Sequence, residues 1–246
     1  EIKALLKDAD DKGFEYDNAD ADYDEFISKL KDAASEADMS YSDYIKQLFG
    51  KRATEKKISS YLKDYLKSTA YQEHLTDELK ATDEETDEYY QANKDSYDKF
   101  DYRKFVVKAE SSDASAMEAA KATADEFAAS VVSEESFIEL CRDYSAADDD
   151  TYEKDDASLV SSVKKSSIET ACADWIISTD RSEGDVTVVE DESNTCYYVL
   201  YYISRSYDGG DDETIASAVV KQKYSQYIKE YTEDMKVNVK NKFSYK

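Results

Sequence analysis

Along the first hundred residues the apolar side chains recur at three-and-four spacing, the period of amphipathic helices. Ile2 to Lys12 reads as a helix ended by Gly13, which suits the left-handed position just past a helix end. From Asp20 to Glu36 the spacing puts Tyr23, Phe26, Ile27 and Leu30 on one face. Ser40 opens a segment that carries Tyr44, Ile45, Leu48 and Phe49 and closes at Gly50. A long helix from Thr54 keeps Ile58, Tyr61, Leu62, Tyr65, Leu66, Leu75 and Leu79 in phase. Thr82 followed by Glu85 is a capping-box pattern, opening a further helix through Glu88, Tyr89 and Tyr90.

The period changes at Phe100. The run to Lys108 is aromatic and β-branched and reads as a strand. Helices follow from Ala114 to Ser130 and from Ser133, the second carrying Phe137, Ile138, Leu140 and Cys141. Asp148–Asp150 and Asp155–Asp156 mark an acidic loop, and Ser167 is read as the cap of a short helix through Trp175 and Ile177. Val186–Glu190 and Cys196–Ser204 read as two strands of an antiparallel hairpin joined by residues 191–195. After Tyr207–Asp211 the helical period returns, with Ile215, Val219, Tyr224, Tyr227, Ile228, Tyr231 and Met235 on one face. The expected fold is α+β. Residues 1–99, completed by a terminal helix in 208–246, form a helical domain, and residues 100–207 form an inserted domain with an antiparallel sheet.

Composition supports long helices over a turn-rich barrel, because the chain holds no proline and five glycines. A net charge of −25 repels phosphate backbones and anionic membranes, which excludes nucleic-acid binding. That charge is uneven: net −11 over residues 1–99, −14 over 100–207 and zero over 208–246, so the neutral terminal helix is a fitting partner for the acidic N-terminal ones. No apolar run approaches the ~20 residues that span a bilayer; the longest, Cys196 to Ile203, suits a strand. Cys141, Cys172 and Cys196 fall at no metal spacing and are expected to be free thiols, with Cys172 and Cys196 the one pair whose elements could meet.

Little else in the sequence carries catalytic chemistry. Asp8-Ala-Asp10-Asp-Lys12-Gly13 starts like a calcium loop, but a lysine fills position five and Ala19 stands where a bidentate Glu is required. The Asp148–Asp150 run lacks the turn that would fix a coordination shell. His74 is the sole histidine and has no local nucleophile beside it, and the scattered glycines form no phosphate loop. No metal and no cofactor are therefore expected. The 22 tyrosines read as a wet-edged core or as an aromatic lining for extended peptides.

From Thr82 onward the order of elements resembles the parvulin (PpiC-type) peptidyl-prolyl isomerases of secreted foldases. The approach Asp87–Tyr97, the strand Arg103–Lys108, the helix Glu135–Ser145, and Trp175 with Glu183–Val186 and Tyr197–Leu200 carry the likeness. Residues 1–81 and 212–243 are similar to the helical chaperone module around such domains in the SurA/PrsA class. The resemblance implies an extracytoplasmic protein, secreted or cell-surface lipid-anchored in bacteria, whose partners are unfolded or extended secretory polypeptides. The family's site uses two histidines and an apolar pocket for the proline ring. Aligned on the strands, Lys104 and Tyr198 occupy the histidine positions, and the pocket falls near Ser166–Thr170, where Ile168 is the bulky apolar candidate. Lys104, Ile168, Trp175 and Tyr198 are thus the expected substrate-binding residues, with no catalytic histidine among them. The resulting expectation is a chaperone or foldase-like protein with a degenerate isomerase domain. An active isomerase using Lys104 and Tyr198, and a structural or adhesive module, are the alternatives.

Overall fold

The helical period that opens the chain resolves into α1 (Ile2–Asp11), α2 (Ala19–Glu36), α3 (Tyr41–Phe49) and α4 (Glu55–Glu78). Their ends are set by local chemistry. Gly13 adopts φ +68°, and Phe14 N–H reaches back 2.8 Å to the Ala9 carbonyl, closing α1. Ser40 caps α3 by accepting the Asp43 N–H at 3.1 Å. The computed structural model describes residues 1–145 and 150–233. Met235 and two of the three residues in the Asp148–Asp150 run lie outside the described residues.

Among the described residues, 1–86 and 213–233 form one unit. It holds two apolar clusters. Ile27, Ile45, Ala53, Ile58 and Leu62 join α2, α3 and α4, with Tyr23, Phe26 and Leu30 packed against them. Leu5, Ala9, Tyr71 and Leu75 join α1 to α4, and Tyr224, Tyr227 and Ile228 of α9 (Asp212–Glu233) pack on that cluster. A buried carboxylate sits at this second junction. Asp8, 3% exposed, accepts the Tyr71 hydroxyl at 2.7 Å and the Tyr227 hydroxyl at 2.6 Å. The calcium-like run is therefore the last turn of α1 and its closing turn: Asp8 is taken by two tyrosines and Asp10 by Lys67 at 2.6 Å.

The second unit is Asp87–Asp212. Its four strands, β1 (Lys99–Lys108), β2 (Leu159–Lys164), β3 (Val186–Asp191) and β4 (Cys196–Ser206), form an antiparallel sheet in the order β2-β1-β4-β3. Strand alternation splits the side chains between two faces. Phe105, Val107, Tyr197, Val199 and Tyr201 meet Ala124 and Phe127 of α6 (Ala114–Ser130) and Phe137 and Cys141 of α7 (Glu134–Asp143). Phe100, Tyr102, Tyr198, Leu200 and Tyr202 meet Ile168 and then Cys172 and Ile176 of α8 (Thr170–Ile176). Burying a side chain such as Phe127 completely is worth about 1.5–3 kcal/mol, so these two faces supply most of the unit's cohesion.

Three elements differ from the sequence expectation. Strand β2 escaped it, because its six residues are polar-flanked and half-exposed, with a bulge opposite Phe100–Tyr102 and Ser162 at φ +54°. The helix after Ser167 starts later: Lys165–Ser167 form a single 3-10 turn, and α8 begins at Thr170 behind Glu169. Helix α5 (Asp83–Tyr97) opens on the Thr82/Glu85 capping box, with bonds of 2.9 and 3.2 Å in the two directions. From Asp87 onward α5 belongs to the sheet-bearing unit, which therefore starts well before Phe100. Polar clamps explain why: Arg205 of β4 bonds to Asp95 at 2.7 Å and also to Asp98, while Tyr90 donates to Asp98 at 2.6 Å. None of those partners is apolar, so the hydrophobic period could not reveal them.

Candidate functional site

Even-numbered residues of β1 from Phe100 to Val106 share the face that α8 covers, so Lys104 stands among Tyr102, Val106 and their β4 neighbours. A lysine on a covered sheet face needs a counter-charge. Glu169, just before α8, provides it: Lys104 Nζ donates to one carboxylate oxygen, and the Tyr102 hydroxyl lies 3.4 Å from the other. Burial acts to raise the Glu169 pKa, but the Lys104 hydrogen bond and charge outweigh it and hold the carboxyl below its ordinary value. The Glu169 carboxyl is thus ionised at neutral pH.

Tyr198 sits diagonally across from Lys104, whose Nζ lies 5.6 Å from the tyrosine ring centroid. The Tyr198 hydroxyl points to Asp191 at 3.4 Å, and burial raises its pKa well above the ordinary tyrosine value, with Cys196 adding to the shift. Beneath it, burial pushes the Cys172 thiol up to about 12, and the Glu169 charge adds to this, so Cys172 is no nucleophile at neutral pH. All three cysteines are free and buried.

Of the four residues expected to bind substrate, Lys104, Tyr198 and Ile168 gather on this face. Ile168 is 7% exposed and serves as core between the sheet and α8. Trp175 is half-buried near the far end of the face, edge-on to Tyr202 at 6.4 Å with the Arg181 guanidinium 5.1 Å from its ring. Its ring contacts are thus with Tyr202 and Arg181. Sequence reading missed Glu169, Tyr102 and Asp191. Tyr102 was legible, since it shares strand parity with Lys104. Glu169 was not, because placing the helix start at Ser167 turned it into an ordinary helical surface acid.

Beside this cluster a groove of about 520 Å³ opens between the start of α8 and the β3–β4 turn. It is lined by Glu169, Thr170 and Ala171 on one side and Glu190 to Asn194 on the other, with no aromatic or methionine side chain. Such a lining offers carboxylates and hydroxyls but no apolar cup for a pyrrolidine ring. The sole histidine, His74, is on α4 of the helical unit, its Nε2 3.3 Å from Glu78. Among the described residues no group of three or more His, Cys, Asp or Glu is placed to hold a metal ion, and no helix is long and apolar enough to cross a membrane.

No curated protein matches the chain in sequence. Solved structures that resemble it include PrsA from Bacillus subtilis, 16% identical over 98% of this chain and 84% of that one, with a TM-score of 0.31. A foldase PrsA from Streptococcus pneumoniae is 15% identical over 94% and 77%, TM-score 0.34. A SurA-like chaperone from Campylobacter jejuni is 18% identical over 83% and 79%, TM-score 0.33. Scores this low bear on neither domain arrangement nor function. The family model for the PPIC-type PPIase domain is stronger: it matches residues 81–212, more than half of the chain and the whole of the sheet-bearing unit. The chain belongs to the PPIC-type peptidyl-prolyl isomerase domain family.

Proposed function

We propose that this protein is an extracytoplasmic chaperone that holds unfolded or extended polypeptides through its helical unit, and that its parvulin-like domain no longer isomerises prolyl bonds. The observation that carries the second half is the Lys104–Glu169 pair. At the strand position aligned with a family histidine there is a cation already bonded to a carboxylate, and the apolar candidate Ile168 is core rather than pocket. Isomerisation faces a barrier of ~18–20 kcal/mol, lowered by desolvating and twisting the amide. A fixed ion pair beside a polar groove offers the prolyl amide charged and polar surroundings in place of an apolar pocket.

The holding function needs only apolar contact area and a soluble exterior. Leu48 and Phe49 at the end of α3 and Tyr61 and Tyr65 one turn apart on α4 are exposed, and the net charge of −25 keeps a complex with an apolar client in solution. Lipid anchoring outside the cytoplasm belongs to the same proposal and rests on the family resemblance. The second reading, an active isomerase, draws on Lys104 and Tyr198 lying on one sheet face, with Lys104 Nζ 5.6 Å from the Tyr198 ring centroid.

The test is a protease-free Xaa-Pro tetrapeptide isomerisation assay run beside a client-aggregation assay. The proposal expects the uncatalysed isomerisation rate together with suppressed aggregation. Isomerisation that Lys104→Ala or Tyr198→Phe abolishes would establish the second reading instead. Protection of no client at all would leave a structural or adhesive role.

A further inference from the structure

The sheet ends on β3, and its outer edge is open. Ala109 N–H bonds to the Thr195 carbonyl at 3.0 Å, and Tyr202 N–H bonds to the Asp185 carbonyl at 2.9 Å. Antiparallel alternation from these two anchors directs the main-chain groups of Cys196, Tyr198 and Leu200 toward β3, where they meet Asp191, Val189 and Thr187. The N–H and C=O groups of Val186, Val188 and Glu190 therefore point away from the sheet. No main-chain or side-chain bond among the described residues reaches them. Three consecutive outward positions with half-buried valines on either side form a template for another strand.

Charge decides what that strand is. Glu183 and Asp185 lie at one end of β3, and Glu190, Asp191 and Glu192 lie at the other. Among the described residues only Asp185 of these has a basic partner, Arg181 at 3.6 Å. A second copy of this chain pairing edge to edge about Val188 would bring Glu190 and Asp191 of each copy toward Asp185 of the other, whose one basic partner, Arg181, leaves the two incoming carboxylates without a counter-charge. A basic polypeptide meets the opposite situation. Paired along β3, it would leave the strand beside the groove of about 520 Å³ that Glu190, Asp191 and Glu192 line, where a lysine or arginine side chain finds carboxylates.

We propose that the outer edge of β3 binds extended polypeptide segments rich in β-branched and basic residues by strand addition, with main-chain bonds to Val186, Val188 and Glu190 and a cationic side chain in the adjoining acidic groove. The surface depends on the chaperone reading for its use in the cell, but its binding stands independently. Recognition of this kind reads backbone and charge, with no role for a prolyl ring.

The probe is a fluorescein-labelled, proline-free peptide alternating valine and lysine, with a valine–glutamate peptide as comparison, followed by anisotropy on the full chain. The lysine peptide is expected to bind, more weakly as salt rises, and the glutamate peptide to bind much less. Amide exchange at Val186, Val188 and Glu190 should slow on binding. Val188→Pro removes the central outward donor at a position where edge strands tolerate proline, and should weaken binding by roughly tenfold or more. Glu190→Lys with Glu192→Lys is the second variant, leaving the backbone intact and reversing the peptide preference. Equal affinity for both peptides, unchanged exchange at the three amides, or dimerisation through β3 in sedimentation overturns the proposal. Suppressed client aggregation without lysine-peptide binding also overturns it while sparing the chaperone reading. Peptide binding lost in Val188→Pro supports it whether or not aggregation is suppressed.

Discussion

Replacing Asp8 by alanine removes the one acceptor that two tyrosines from different helices share. The Tyr71 hydroxyl of α4 and the Tyr227 hydroxyl of α9 both bond to Asp8 Oδ2, at 2.7 and 2.6 Å. A hydrogen bond to a charged group contributes about 1.5–3 kcal/mol, and a buried donor left without a partner costs about 1–3 kcal/mol. Tyr71 is wholly buried, so water cannot replace the lost acceptor, whereas Tyr227 is half-buried and recovers part of its loss. Lys12, 4.0 Å from Asp8, is too exposed to suffer from losing its counter-ion. The expected cost of Asp8→Ala is therefore about 3–5 kcal/mol. Asp8→Asn keeps an acceptor oxygen and should lose less. In the Asp8→Ala background Tyr71→Phe should cost nothing further, since it removes a hydroxyl already orphaned, giving a coupling of about 2 kcal/mol in a double-mutant cycle. The assay is urea unfolding followed by far-ultraviolet circular dichroism. The single tryptophan, Trp175 in the sheet-bearing unit, serves as a separate fluorescent probe whose transition should move less. A loss below about 1 kcal/mol, or strictly additive effects of Asp8→Ala and Tyr71→Phe, would refute the shared-acceptor account.

Three further outcomes follow from the same structure. Arg205→Ala strands the buried Asp98 and should cost the sheet-bearing unit about 3 kcal/mol or more, read as an earlier Trp175 fluorescence transition. Burial, aided by Asp8 and Glu169 respectively, raises the pKa of Tyr71 and Tyr102 above the ordinary value of 10.0, so their contribution to stability is complete below the unfolded value and is lost as pH rises through the folded one. Unfolding free energy should therefore fall above a pH of about 10, and a spectrophotometric titration should show these tyrosines ionising only as the protein unfolds. Ellman's reagent should find no reactive thiol in the native protein at mildly alkaline pH, because Cys141 and Cys172 are buried and pushed up to about 12 and Cys196 is buried and raised, and it should find three after denaturation.

How much of this was legible in the sequence depended on whether a partner was apolar and local. The helices α1 to α4, the Ser40 and Ser133 caps and the Thr82/Glu85 box were readable because each rests on periodicity or on bonds three residues apart. The β3–β4 hairpin was readable from two β-branched or aromatic runs around residues 191–195. Strand β2 was not, since its pairing with β1 is carried by register and by Asp101, which accepts Ser161 Oγ at 3.0 Å and Ser162 N–H at 2.6 Å. At the candidate site, the family resemblance singled out Lys104 and Tyr198, but their partners Glu169 and Asp191 come from the residue before α8 and the end of β3. Long-range polar pairing leaves no period in a sequence, and that is why Glu169 and the Asp8 junction emerged only in three dimensions.

The central claim, that this protein protects polypeptides without reading proline, is tested most directly with one client in two forms. A slow-aggregating protein and its fully proline-substituted variant are heated with increasing amounts of the chain, and light scattering is followed. The account predicts that both forms are protected to the same extent, and that Lys104→Ala leaves both curves unchanged. Protection confined to the proline-containing form, and lost in Lys104→Ala, would contradict it.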